Sequence, residues 1–292
     1  MTNQTELNTS LLDVARNGTD KQVIDLLSSG AQVDACDRNG ETALHHAITY
    51  HRIENIIALI SHGADVNYRH KNGSTALHIA AGSGGLDHVD FLVARGADIH
   101  VADGTGYLPL HWAAYTSKVD VMQRLIDLGC DPNAPIINTG GSSLHLAAMS
   151  KANTGILYLL EHVADINLRN KEGFTPLDLA VFGGNVKNAL ILIAYGAELE
   201  GHPHKVGNMR IAQMTPWQAA IRAGLTDTVV KFLATGDPDG SSFSDFTRPM
   251  LAYARKHKQP EVLAVIQSKI ATQAIDEILH AAAPAQQRRC TP

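Results

Sequence analysis

From Thr42 the apolar residues Leu44, Ala47 and Ile48 fall on one face of a short helix, and Ile53, Ile56, Ile57 and Ile60 form a second stripe at helical spacing. A break near His51 separates the two, and Gly63 stands where a helix commonly ends in a left-handed residue. The segment that follows, ADVNYRHKNGS, has few apolar side chains and an Asn-Gly turn signal, which predicts a hairpin-like loop. A helix–turn–helix of this size encloses too little core to stand alone and has to stack on neighbours.

The same pattern returns along the chain. Thr42 begins TALHHA, and Thr75 (TALHIA), Leu108 (LPLHWA), Ser142 (SSLHLA) and Thr175 (TPLDLA) follow at steps of 33, 33, 34 and 33 residues. Thr215 (TPWQAA) comes 40 residues later and Pro249 (PMLAYA) 34 after that, while counting back 33 from Thr42 reaches Thr9 (TSLLDV). A second phrase keeps step: GAQV at Gly30, GADV at Gly63, GADI at Gly96, GCDP at Gly129, VADI at Val163, GAEL at Gly196 and GDPD at Gly236. Two phrases in register predict an all-α repeat solenoid of about eight helix–turn–helix units with short β-hairpin-like loops. The expected organisation is a flexible N-terminus over 1–8, the array over 9–266, a C-terminal capping helix over 267–283 and a disordered tail over 284–292.

Three departures interrupt the rhythm. Val163 takes the glycine slot, where a β-branched residue would be strained at positive φ, so the helix is expected to end differently there. The loop NAPIINTGGS has one extra residue, with Ile136 and Ile137 both expected at the surface. The segment ELEGHPHKVGNMRIAQMTP adds seven residues between Gly196 and Thr215, a loop insertion near 201–214. His202 and His204 in that segment lack the third and fourth ligands of a metal site.

These phrases resemble the ankyrin repeat family, over roughly Thr9 to Ile266 and most specifically from Thr42 to Gly196. In that family the motif opens the first helix, its hydroxyl bonds the histidine ring, and the other ring nitrogen reaches backbone of the adjoining loop. The resemblance therefore implies structural pairs in Thr42 with His45, Thr75 with His78 and Ser142 with His145. His111 has Leu108 opposite and loses the hydroxyl half, and the motif at Thr175 reads Thr175-Pro176-Leu177-Asp178. Independently, a hydroxyl at a first turn can cap free N–H groups, and a histidine three residues on shares its face. The competing reading makes these histidines zinc ligands or general bases. Repeats of this family stack about 10 Å apart, too wide for a first shell with Zn–N bonds of about 2.0–2.1 Å.

The first helices should leave the positions four, seven and eight residues beyond each motif start exposed. On that phase Tyr50, Trp112, Tyr115, Met149 and Phe182 form an apolar, aromatic patch, and the loop fingers add Tyr68, Arg69, Lys71, Arg169 and Lys171. The bland alternative for the helical residues is packing between repeats.

Composition narrows the function. The formal charge of -5 comes without a long basic run, which does not indicate a nucleic-acid partner, and no apolar stretch is long enough to insert in a membrane. Cys36, Cys130 and Cys290 are few and scattered, fitting reduced thiols in the cytoplasm or in a host cytoplasm reached without a signal peptide. No nucleophile elbow, phosphate loop or metalloprotease motif is present, so no catalytic, cofactor or metal residues are assigned. The expected function is protein–protein recognition by a monomeric stand-alone array, adaptor or effector-like, binding another protein or peptide segment. The alternatives are an inhibitor or immunity-type regulator covering a partner enzyme or toxin, and, far behind, an enzyme.

Overall fold

In the computed structural model, described over residues 3–162, 164–198, 216–222, 224–235 and 243–286, the helices come in pairs. Five pairs fill the first of two compact units, Met1–Lys171. They are α1 (Gln4–Asn17) with α2 (Asp20–Ser28), α3 (Ala43–Thr49) with α4 (Ile53–Ser61), α5 (Ala76–Ser83) with α6 (Leu86–Ala94), α7 (Pro109–Tyr115) with α8 (Val119–Asp127), and α9 (Ser143–Met149) with α10 (Thr154–Glu161). The second unit, Glu172–Pro292, holds α11 (Pro176–Phe182), α12 (Val186–Ala194), α13 (Pro216–Arg222), α14 (Thr226–Thr235), α15 (Phe243–Lys256) and α16 (Pro260–Gln286). Among the described residues the only β pairing is an isolated bridge between Cys36 and Thr42. No described helix is long and apolar enough to cross a membrane.

Every motif start from Thr42 to Thr175 is a helix N-cap with extended backbone, and proline, pre-set for a first helical turn, opens α7 and α11. In the first unit α1, α3, α5, α7 and α9 each pack on the next, and α2 on α4, α6 on α8 and α8 on α10 line the other side. The motif explains the contact. Leu44, Leu77, Leu110 and Leu144 are buried in turn, while the alanines at Ala47, Ala80, Ala81, Ala113, Ala114, Ala147 and Ala148 let neighbouring first helices approach closely. In the second unit α11, α13 and α15 follow the same order, with α12, α14 and α16 beside them.

Both ends differ from the expected organisation. Helix α1 begins at Gln4, inside the segment expected to be flexible, because Asn3 caps it through Thr5 N (3.3 Å) and Asn8 is tied to Gln32 by two amide bonds. At the other end no separate capping helix forms: α16 runs unbroken from Pro260 to Gln286, with neither glycine nor proline to stop it near Ile266. It also takes in the first residues of the expected tail. Val163, the insertion near 201–214 with His202 and His204, and the rest of the tail lie outside the described residues.

Backbone bonds join the fingers of the first unit one to the next. Lys71 N–H donates to Asn39 O (3.2 Å), Gly104 N–H to Asn72 O (2.7 Å), Ile137 N–H to Gly106 O (3.2 Å) and Lys171 N–H to Thr139 O (2.8 Å). A second set lies just after the helix pairs, where Asp34 accepts from Asp65 N–H (3.1 Å), Asn67 from Asp98 N–H (2.9 Å) and Asn133 from Asp165 N–H (2.8 Å).

Candidate functional site

The motif histidines are buried and face inward along the stack. Nδ1 of His45 accepts from Thr42 N–H (3.2 Å) with Thr42 Oγ1 at 2.8 Å; His78 repeats this with Thr75 (3.1 and 2.9 Å) and His145 with Ser142 (3.0 and 3.1 Å). An N–H pointing at Nδ1 makes that nitrogen the acceptor, so the ring proton sits on Nε2. From there His78 donates to Tyr107 O (3.0 Å) and His111 to Ala134 O (3.0 Å), linking helix to finger. His111 keeps only Leu108 N–H on Nδ1 (2.9 Å), since leucine brings no hydroxyl. Thr175 pairs with Asp178 instead: Thr175 N–H donates to Oδ2 (2.8 Å) and Asp178 N–H returns to Thr175 Oγ1 (3.2 Å). Burial pushes the His45 and His111 rings down to about 4, and lowers His78 as well.

On the outer face of the first helices the phase is only partly as expected. Tyr50, Tyr115 and Met149 are 50%, 58% and 51% exposed. Four residues past each motif start, however, His46 and Leu146 are buried and Trp112 is half-buried. At His46 and Trp112 the cause is visible: an aspartate five residues before the motif start reaches back over the helix. Asp37 Oδ2 lies 3.3 Å from His46 Nε2, and Trp112 Nε1–H donates to Asp103 Oδ2 (3.1 Å). The indole meets His78 edge-on at 5.9 Å and lies against Gly82, where a Cβ would come 2.9 Å from Trp112 Cε3. Phe182 belongs to the second unit, where its half-buried ring packs edge-to-face on Phe174 at 5.3 Å.

Trp112 and Tyr115 border one cleft of about 380 Å³, completed by Asp103, Thr105, Tyr107 and Thr116. Asp103 is 8% exposed. Its Oδ1 accepts from Thr105 N–H (2.9 Å), Thr105 Oγ1–H (2.7 Å) and Tyr107 N–H (3.0 Å). Burial works against the charged form, but the bonds from Thr105, Tyr107 and Trp112 outweigh it and hold the carboxyl below its usual range. Met149 stands on the neighbouring α9, and Tyr50 caps the C-terminus of α3, two first helices away from α7.

The finger cations serve as staples. Lys71 Nζ donates to Arg38 O (2.5 Å), Lys171 Nζ to Ile137 O (2.6 Å) and Arg69 Nη2 to Ala102 O (2.6 Å), each reaching the adjacent finger while remaining exposed. Tyr68 is half-buried, edge-on to His45 at 6.1 Å, and Arg169 is half-buried. Of the two isoleucines expected at the surface, Ile137 is 61% exposed but Ile136 is buried, its N–H donating to Gly141 O (2.7 Å) so that the finger closes over it.

Among the described residues one group of three metal-type ligands comes together, Asp37, Glu41 and His46. A cation is already there: Arg16 Nη2 lies 2.9 Å from His46 Nε2 and 3.6 Å from Asp37 Oδ2. Burial, and then the Arg16 charge, lower His46, so the neutral ring accepts from the guanidinium. Reading the sequence assigned no site role to Asp103 and Tyr107. The available signal was the aspartate five residues before the motif start, present at both Asp37 and Asp103.

Comparison with known proteins agrees with this geometry. The pattern described as ankyrin repeats (3 copies) matches residues 11–103 and 110–202, and that described as ankyrin repeats (many copies) matches 81–126. An ankyrin repeat and KH domain-containing protein of Caenorhabditis briggsae is 32% identical over 106 residues, 36% of this chain and 4% of that protein. A poly [ADP-ribose] polymerase tankyrase of Caenorhabditis elegans is 38% identical over 60 residues, 20% of this chain and 3% of its own. The matched segments are small parts of these relatives, so the likeness concerns the repeats alone. With matches over more than half its length and the motif contacts formed repeat after repeat, the chain belongs to the ankyrin repeat family.

Proposed function

We propose that the chain recognises a protein or peptide segment, as an adaptor or effector and without a reaction of its own, through the first-helix face of the first unit and its fingers. Ankyrin repeats are generally protein–protein interaction modules. The observation that carries the assignment of the face is the exposure of Tyr50, Tyr115 and Met149 on helices whose other apolar side chains are mostly buried. Tyr115 and Met149 lie on adjacent helices, and Tyr115 borders the cleft walled by Trp112, so a partner side chain can anchor in that cleft while finger groups set its register.

Because Tyr115 and Met149 are more than half exposed, truncating both leaves the core intact. A partner isolated on the full chain is expected to bind Tyr115→Ala/Met149→Ala at least about ten-fold more weakly, roughly 1.4 kcal/mol, with the melting temperature nearly unchanged. Titration calorimetry and circular dichroism on the same preparations read both quantities. Undiminished affinity in the folded double variant would sink the assignment of this face.

A further inference from the structure

We propose that the cleft beside Trp112 receives the guanidinium of an arginine on the partner segment; this rests on the helix-face reading above and names the chemistry it recognises.

The first argument is a comparison inside the chain. Arg16 stands seven residues past the motif start Thr9, and its guanidinium lies against an aspartate and a ring of the next repeat, Asp37 and His46. Asp103 and Trp112 hold the same two places two repeats later, five residues before and four after Leu108; there the ring nitrogen itself donates to the acid (3.1 Å), whereas His46 Nε2, which accepts from Arg16, lies 3.3 Å from Asp37 Oδ2. The residue corresponding to Arg16 at that junction is Gly82, seven past Thr75, which brings no side chain. The indole has moved over Gly82, and the acid and the ring border an open cleft. One junction carries its own guanidinium; the other has the acid and the ring without it.

The second argument is charge. Asp103 is more than nine-tenths buried and held ionised, yet among the described residues it forms no ion pair. Oδ1 already has three donors, whereas Oδ2 has only the indole N–H, leaving it able to accept one more. Three of the remaining walls are aromatic, Tyr107, Trp112 and Tyr115, and two are threonines, Thr105 and Thr116. A flat, weakly hydrated guanidinium can lie on these rings while one N–H meets Oδ2, which a compact, strongly hydrated ammonium does less well. A volume of about 380 Å³ is large enough to take one long side chain.

The probes are seven-residue peptide libraries, degenerate except for a central arginine, citrulline or lysine, titrated against the full chain by fluorescence polarisation. Citrulline keeps the shape of arginine and removes its charge. The arginine library is expected to bind about five-fold more tightly than the citrulline library, with lysine between them. Tyr115→Ala, at an exposed position, should bring arginine to the citrulline level, and Asp103→Asn should do the same if its finger stays folded. Equal binding of arginine and citrulline overturns the proposal, as does an arginine preference that survives in Tyr115→Ala. If the libraries bind equally while an isolated partner still loses affinity in Tyr115→Ala/Met149→Ala, the arginine assignment falls alone. Wild-type partner affinity in that double variant overturns the face reading instead.

Discussion

Moving the protein from pH 7 to pH 5 should lower its main helical melting transition by about 10 °C. His45 and His111 are held neutral in the stack, with pKa values pushed by burial from 6.5 to about 4. The unfolded chain therefore takes up protons that the folded chain refuses, and each ring's contribution is complete above pH 6.5 and falls steadily towards pH 4. At pH 5 each has lost about 2 kcal/mol, and for a unit of this size about 4 kcal/mol lowers the midpoint by roughly 10 °C. His78 shifts in the same direction and adds to the loss. Asp37 and Asp103 are depressed too, but theirs is lost only below the carboxylate range near 3.8, outside this window. Protonation at Nδ1 would set a hydrogen against the N–H groups that now donate to it. His111→Gln, which does not titrate, should remove roughly a third to a half of the slope whatever its effect on absolute stability. A midpoint that moves by less than a few degrees over this range, measured by circular dichroism, would mean that the rings are not buried in neutral form.

The second large effect is expected at Gly73. Its φ is +82°, and an added Cβ would fall 2.5 Å from Gly104 N, the amide that bonds to Asn72 O. Alanine there meets two obstacles at once: the left-handed conformation costs about 1–2 kcal/mol, and the two fingers must separate, stretching a 2.7 Å bond. Gly73→Ala should destabilise the first unit by about 3 kcal/mol, read as a lower midpoint in urea unfolding. Gly63→Ala makes the useful comparison, because its φ is similar (+89°) and nothing stands within 4 Å of the added carbon. If the two variants lose the same stability, the contact between fingers contributes nothing and only the backbone conformation matters.

Much of this architecture could be read directly from the residues. Phrases returning every 33 or 34 positions placed the N-caps at Thr42, Thr75, Leu108, Ser142 and Thr175, because helix-opening chemistry is local and the alanines that follow admit only a close neighbour. What escaped were relations between segments. Phase alone left His46, Trp112 and Leu146 in the open, whereas an aspartate nine residues upstream folds back over the first two. The sequence showed the exposed lysines of the fingers only as charges, and not that their ammonium groups also bond carbonyls of the preceding loop. The helix at Gln4 was hidden because its support comes from Gly30 and Gln32, far along the chain. Arg16 showed only its charge; its place between Asp37 and His46 depends on how two repeats meet.

The bonds that run from Asn39 through Asn72 and Gly106 to Thr139 have a bearing on recognition. Surface loops normally lose conformational freedom when a ligand settles on them, and that loss subtracts from affinity. Here the edge is already held in one arrangement before anything arrives, each hairpin bracing the next. A binder that fits this edge gives up little to ordering, whereas one that needs a single hairpin to swing aside must disturb its neighbours as well. The rigid rim therefore selects for shape, favouring ligands that adapt themselves to the protein.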